Sequence, residues 1–121
     1  MDKLSNDCYK VYLVQISCKE TGATAHKIGI TQYKDALYRF QENLERFNIK
    51  VLQTLIFTSK IKAEAFESML LTIYNNKPSG EYLKIFDGIN GNGELISLNE
   101  FNRKELLSFF FDLKKIKSIV L

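Results

Sequence analysis

Apolar residues fall on both alternating sets of Lys10–Ser17 (KVYLVQIS): Val11 and Leu13 on one, Tyr12, Val14 and Ile16 on the other. A strand covered on both faces reads this way. The polar run Cys18–Thr24 marks a hairpin loop, and Ala25–Thr31 (AHKIGIT) a second, short strand. Gly29 interrupts it; a glycine there costs stability and marks a bulge or a close approach by another group. Leu37, Phe40, Leu44 and Phe47 then recur at spacings of 3, 4 and 3, which predicts an amphipathic helix over Asp35–Phe47. Ile49–Thr58 returns to strand character. Ser59 is placed to cap a helix over Lys60–Asn75 with an apolar stripe of Phe66, Met69/Leu70 and Ile73/Tyr74. Turn chemistry fills 75–80 (NNKPSG), Glu81–Phe86 reads as a short strand and Asp87–Gly93 as a second turn. A last helix is expected from Asn102, which has capping-box spacing to Glu105, to about Ser118. Leu106, Phe109, Phe110, Leu113 and Ile116 form its wide apolar face.

The order β-β-α-β-α-(β)-α is not a chain of βαβ crossovers. It predicts an α+β domain: a small three-stranded antiparallel sheet flanked by helices, with a C-terminal helical extension over 84–121. At 121 residues there is room for one core, so 1–121 is read as a single domain. An apolar content of 45% and a charged content of 26% exclude collagen-like and disordered classes. No apolar run approaches a membrane span, and the first residues lack an apolar signal core. A cytoplasmic protein with no membrane partner is the expectation. Cys8 and Cys18 have no second pair and no histidine at zinc spacing, which argues for free thiols rather than a structural metal site.

The net charge of +3 is mildly basic and permits contact with phosphate. Its surplus lies in residues 1–60, which hold nine Lys/Arg against six Asp/Glu; the second half balances at eight each. The phosphate-loop, dinucleotide, zincin, nucleophile-elbow and EF-hand signatures are all absent. The one histidine, His26, has no nucleophile near it in sequence and reads as structural. A dispersed set remains: Tyr12 on the first strand, Lys27 on the second, Arg39 in the first helix and Glu67 in the second. Hydrolysis of a phosphodiester needs a base for the attacking water, cationic donors for the phosphate and a carboxylate for a divalent metal. The set supplies each. Read singly, Tyr12 is equally an ordinary strand aromatic, Lys27 a solvent-facing lysine and Glu67 one of two carboxylates on a polar helix face.

In order and spacing, Val11-Tyr12-Leu13, Lys27-Ile28-Gly29-Ile30-Thr31, Tyr38-Arg39-Phe40, Phe66-Glu67-Ser68-Met69-Leu70 and Gly80-Glu81-Tyr82-Leu83 resemble the GIY-YIG nuclease superfamily. The resemblance covers about 10–83 and is to the compact branch, common in phages and large DNA viruses, whose second motif reads KIG. It implies that Tyr12 helps to activate the attacking water. A phenol of pKa near 10 is a poor base at neutral pH, and a metal-bound water and the Lys27 ammonium would both favour the phenolate. Lys27 stands for the second tyrosine and assists the base or holds the nucleophile. Arg39 offers a planar grip on phosphate, and Glu67 matches the metal-binding glutamate, with Glu64 one turn earlier as the competing assignment. Two departures stand out: Leu71 replaces the branch's histidine, and Lys10 the first motif's glycine.

The resemblance therefore implies an endonuclease that hydrolyses DNA with Mg²⁺ or Mn²⁺ on Glu67, water and phosphate oxygens. The rival is a catalytically silent module of the same fold that binds nucleic acid or protein. The Phe109-Phe110-Phe111 face is read as core or, failing that, as a homodimer surface.

Overall fold

Val11, Tyr12, Leu13 and Val14 are all fully buried, so the first strand is covered on both faces as its pattern requires. The structure, a computed structural model, describes residues 3–4, 7–89 and 95–120, with side chains of the last helix as far as Lys115. Strand β1 (Tyr9–Cys18) and strand β2 (Thr24–Thr31) form an antiparallel hairpin that sets Tyr12 opposite Gly29 and Val14 opposite Lys27. Strand β3 (Phe47–Phe57) pairs with the other edge of β1, and its register shifts between Leu13 and Val14. A fourth strand, β4 (Leu95–Ile96), pairs with His26 and Lys27. The sheet is four-stranded, in the order β3-β1-β2-β4, rather than three-stranded. Two residues are too few to show a period, which is why β4 has no signature in the chain.

Each face carries its own core. On one, helix α1 (Lys60–Ile73) and helix α3 (Glu100–Val120) bring Phe66, Leu70, Leu106 and Phe110 against Val11, Leu13 and Ile28. On the other, a 3₁₀ segment (Ala36–Asn43) and the stretch following helix α2 (Gly80–Ile85) bring Phe40, Phe86 and Ile89 against Tyr12, Val14 and Ile16. Alternation along β1 sorts its side chains between these layers. Among the described residues, no helix is long and apolar enough to cross a membrane.

Three expected elements differ. The helix over Asp35–Phe47 is instead the 3₁₀ segment, with Asp35 capping the Leu37 amide and Phe40 at non-helical angles (φ −117°, ψ 15°). Phe47 already pairs with Cys18 in β3, and Leu44 is partly exposed. The chain has only three residues between Asn43 and that strand, too few to complete a further α-turn. The strand expected at Glu81–Phe86 is instead helix α2 (Gly80–Ile85), whose first residue Gly80 takes φ +59°. Helix α3 starts two residues before Asn102: the Asn99 side chain accepts from the Asn102 amide at 2.7 Å, so Asn99 is the cap. Part of the expected turn at Asp87–Gly93 lies outside the described residues, and so do the side chains at the end of the expected apolar face. The Ser59 cap of α1 stands as expected, accepting from the Lys62 amide.

Candidate active site

Tyr12 and Lys27 meet beneath the 3₁₀ segment. Cross-strand pairing of Tyr12 with Gly29 and of Val14 with Lys27 puts all four on one face of the hairpin. The Lys27 ammonium donates to the Tyr12 phenol oxygen at 3.4 Å and lies 5.5 Å from the centre of its ring. Both side chains are enclosed: Tyr12 is 0% and Lys27 1% exposed. Phe40 stands edge-on to the Tyr12 ring at 5.9 Å, which fixes the phenol in place. Gly29 is what lets the phenol lie down across the second strand. A Cβ there would stand 2.6 Å from the Tyr12 ring carbon that bears the hydroxyl, closer still to the oxygen, and 3.0 Å from the Lys27 nitrogen. The close approach suggested by a glycine inside a strand is therefore made by the first motif's own tyrosine.

Arg39 leaves the 3₁₀ segment toward the end of β2 and donates from Nη1 to the Ile30 carbonyl at 2.8 Å. Among the described residues, β4 pairs with His26 and Lys27 alone, so it does not reach this part of the edge. Arg39 forms the lip between two open hollows of about 450 and 380 Å³. Arg46, just before β3, ties two parts of the fold together. Its guanidinium donates to the Asp87 carbonyl and lies over the Phe47 ring.

Glu67 rides on α1, which packs on the sheet face opposite to Tyr12 and Lys27. The four residues are thus not all on one layer, as a helix simply folded back over the hairpin would have made them. Glu67 is half-buried, whereas Glu64 is exposed, which separates two otherwise similar carboxylates. Seven residues are two helical turns less about 20°, so Glu67 projects from the same flank of α1 as Lys60. Lys60 lines the smaller hollow together with Arg39. The described residues contain no group of three or more His, Cys, Asp or Glu able to hold a metal ion by themselves. A hard divalent cation held by one carboxylate, water and substrate phosphate needs no such cage.

Other motif positions prove structural. Leu71, in place of the expected histidine, packs against the α1/α3 core. The Tyr82 hydroxyl donates to the Thr24 carbonyl at 2.5 Å and accepts from the Thr24 amide, tying α2 to the start of β2. Phe110 is core, while Phe109 and Phe111 remain partly exposed. Cys8 and Cys18 are not disulfide-bonded. The Tyr74 hydroxyl donates to Glu105 Oε1 at 2.8 Å, and burial together with that carboxylate raises its pKa to about 12.

His26 is 4% exposed and neither ring nitrogen has a hydrogen-bond partner among the described residues. Burial, with a smaller contribution from the Arg103 guanidinium, lowers its pKa from 6.5 to about 4. In the unfolded chain it takes up a proton below about pH 6.5, and in the folded protein only below about 4. Its share of stability is therefore complete above pH 6.5 and falls as the pH drops toward 4, by roughly 3 kcal/mol in all. Urea titrations at pH 7.5 and 4.5 should show a smaller loss for His26→Leu than for wild type.

Compared with protein-family models, curated proteins and solved structures, the chain matches none of them.

Proposed function

We propose that the protein is a metal-dependent endonuclease of the GIY-YIG type, hydrolysing DNA phosphodiesters. The observation that carries this reading is the meeting of three motif residues: the Tyr12 phenol and Lys27 ammonium 3.4 Å apart over a glycine that has no room for a methyl group. The Lys27 nitrogen beside the phenol oxygen places a donor where a proton must be handled, which suits Tyr12 to meeting an attacking water once the pair is uncovered. Arg39, at the end of the same hairpin, offers a guanidinium to the phosphate oxygens. Glu67 lies on the opposite layer of the sheet from Tyr12, so it would hold a divalent cation, with its positive charge for the leaving oxygen, only for a phosphate reaching round the β2 edge beside Arg39. The water oxygen bonds to phosphorus as the bond to the leaving oxygen breaks, giving a phosphate monoester and a free hydroxyl.

A second reading, a silent module that binds nucleic acid without cutting it, draws on the enclosure of Tyr12 and Lys27. Catalysis requires the cover over that pair to open or the water to enter from the β2 edge. A metal titration separates the two. Supercoiled plasmid should be nicked by the wild-type protein in Mg²⁺ or Mn²⁺ and left intact in EDTA. Salt-sensitive binding with no metal-dependent nicking would establish the silent module instead.

A further inference from the structure

The smaller hollow beside Arg39, about 380 Å³ in volume, gathers cations from three separate parts of the chain. Lys3 comes from the N-terminal segment, which bridges to Tyr33, and the Leu4 amide donates to the Gln32 carbonyl at 2.6 Å. Arg39 comes from the 3₁₀ segment and Lys60 from the first turn of α1. Among the described residues no carboxylate lines this hollow, although the chain as a whole carries 14 acidic residues against 17 basic ones. The exposed Lys3 and Lys60 ammoniums converging on one cleft make a field that favours an anion. The wall is also aromatic. Tyr33 lies half-buried, 4.4 Å from Tyr38 between ring centres, with the Lys3 ammonium 5.4 Å over its own ring. Neither Lys3, Tyr33 nor Lys60 belongs to the motif residues used above.

We propose that this hollow seats single-stranded nucleic acid: the Lys3 ammonium leaves the Tyr33 ring to hold a backbone phosphate with Arg39 and Lys60, and the adjoining base takes its place on that ring. A cationic groove joined to a stacking surface is how proteins hold single strands without reading their sequence. The polyanion is inferred from the nuclease reading, and the seat would hold the strand next to the bond that is cut. The duplex lacks the free base face that Tyr33 needs, so the unpaired strand is the better fit.

Fluorescence anisotropy with an oligo(dT) in EDTA, over a range of salt, tests the seat without any cleavage. Lys3→Ala/Lys60→Ala should weaken binding and reduce the slope of log K against log salt by up to about 0.7, one phosphate contact's worth. Tyr33→Leu should weaken it by roughly 5- to 150-fold, and Tyr33→Phe should restore most of the loss. Lys3 and Lys60 are exposed, so these variants are expected to fold. Wild-type slope and affinity in the double lysine variant would overturn the seat. Equal loss of duplex and oligo(dT) binding in Tyr33→Leu would overturn the single-strand assignment. A plasmid assay of the same proteins in Mg²⁺ keeps the two ideas apart. Lysine-dependent binding without wild-type nicking sinks the nuclease and leaves the seat, whereas nicking with lysine-independent binding does the reverse.

Discussion

Glu67→Gln should abolish metal-dependent nicking, with a loss of at least about 100-fold, while the protein keeps its fold. The substitution preserves size and shape and removes the negative charge that a hard cation requires. Losing one well-aimed electrostatic contribution to a transition state costs about 10²–10³-fold in other hydrolases, and a metal ligand is expected to cost no less. Arg39→Ala should have a comparable effect, because it withdraws the guanidinium from the end of the hairpin. Arg39→Lys should recover little, since an ammonium does not reproduce a planar two-point grip on phosphate. Arg39 also holds the Ile30 carbonyl, so melting temperatures belong beside the rates. If Glu67→Gln still nicks plasmid and Glu64→Gln does not, the cation belongs to Glu64. The half-burial of Glu67 and the exposure of Glu64 argue against that outcome.

The largest effect on stability is expected at Gly29. Gly29→Ala places a methyl group on the Tyr12 phenol, 2.6 Å from its nearest ring carbon, inside a layer where Phe40 already fixes that ring. Overpacking of this kind costs about 1–3 kcal/mol, which for a domain of this size is a fall of roughly 5–15 °C in Tm. Much of that cost is expected to disappear in a Tyr12→Leu background, where the phenol is gone. A double-mutant cycle by thermal denaturation measures this directly. An equal penalty with and without Tyr12 would place the clash elsewhere. The same substitution should also lower nicking, because the phenol that must move is the group set beside the Lys27 ammonium.

How far the chain announces this architecture depends on the length scale of each signal. The hairpin was legible because β1 is apolar on both alternating sets and is buried on both faces, and α1 because its stripe and the Ser59 cap agree. The segment at Asp35–Phe47 misled because apolar spacings of 3 and 4 occur equally in a 3₁₀ turn followed by a strand. What decides there is the demand that Phe47 reach Cys18. Strand β4 has two residues, and α2 depends on a glycine at positive φ and on tertiary ties such as Tyr82 to Thr24, none of which leaves a periodic trace.

The site divides in the same way. Tyr12, Lys27 and Gly29 come together through pairing between neighbouring strands, which a hairpin makes readable from spacing alone. The placement of α1 on the far face is a matter of connection handedness and packing, which spacing does not encode. Lys3 and Lys60 lie 57 positions apart in the chain and meet only in the folded protein. The surplus of positive charge in the first half was the only trace of them, and it pointed to a region rather than to residues.

A time course of supercoiled plasmid with equal amounts of wild-type and folded Tyr12→Phe protein in Mg²⁺ bears most directly on the claim that the Tyr12 phenol works on a DNA phosphate. Nicked circles should accumulate with wild type and fail to appear with Tyr12→Phe, which keeps the aromatic ring and lacks the oxygen. Equal rates of nicking from the two proteins, or none from wild type, would contradict it.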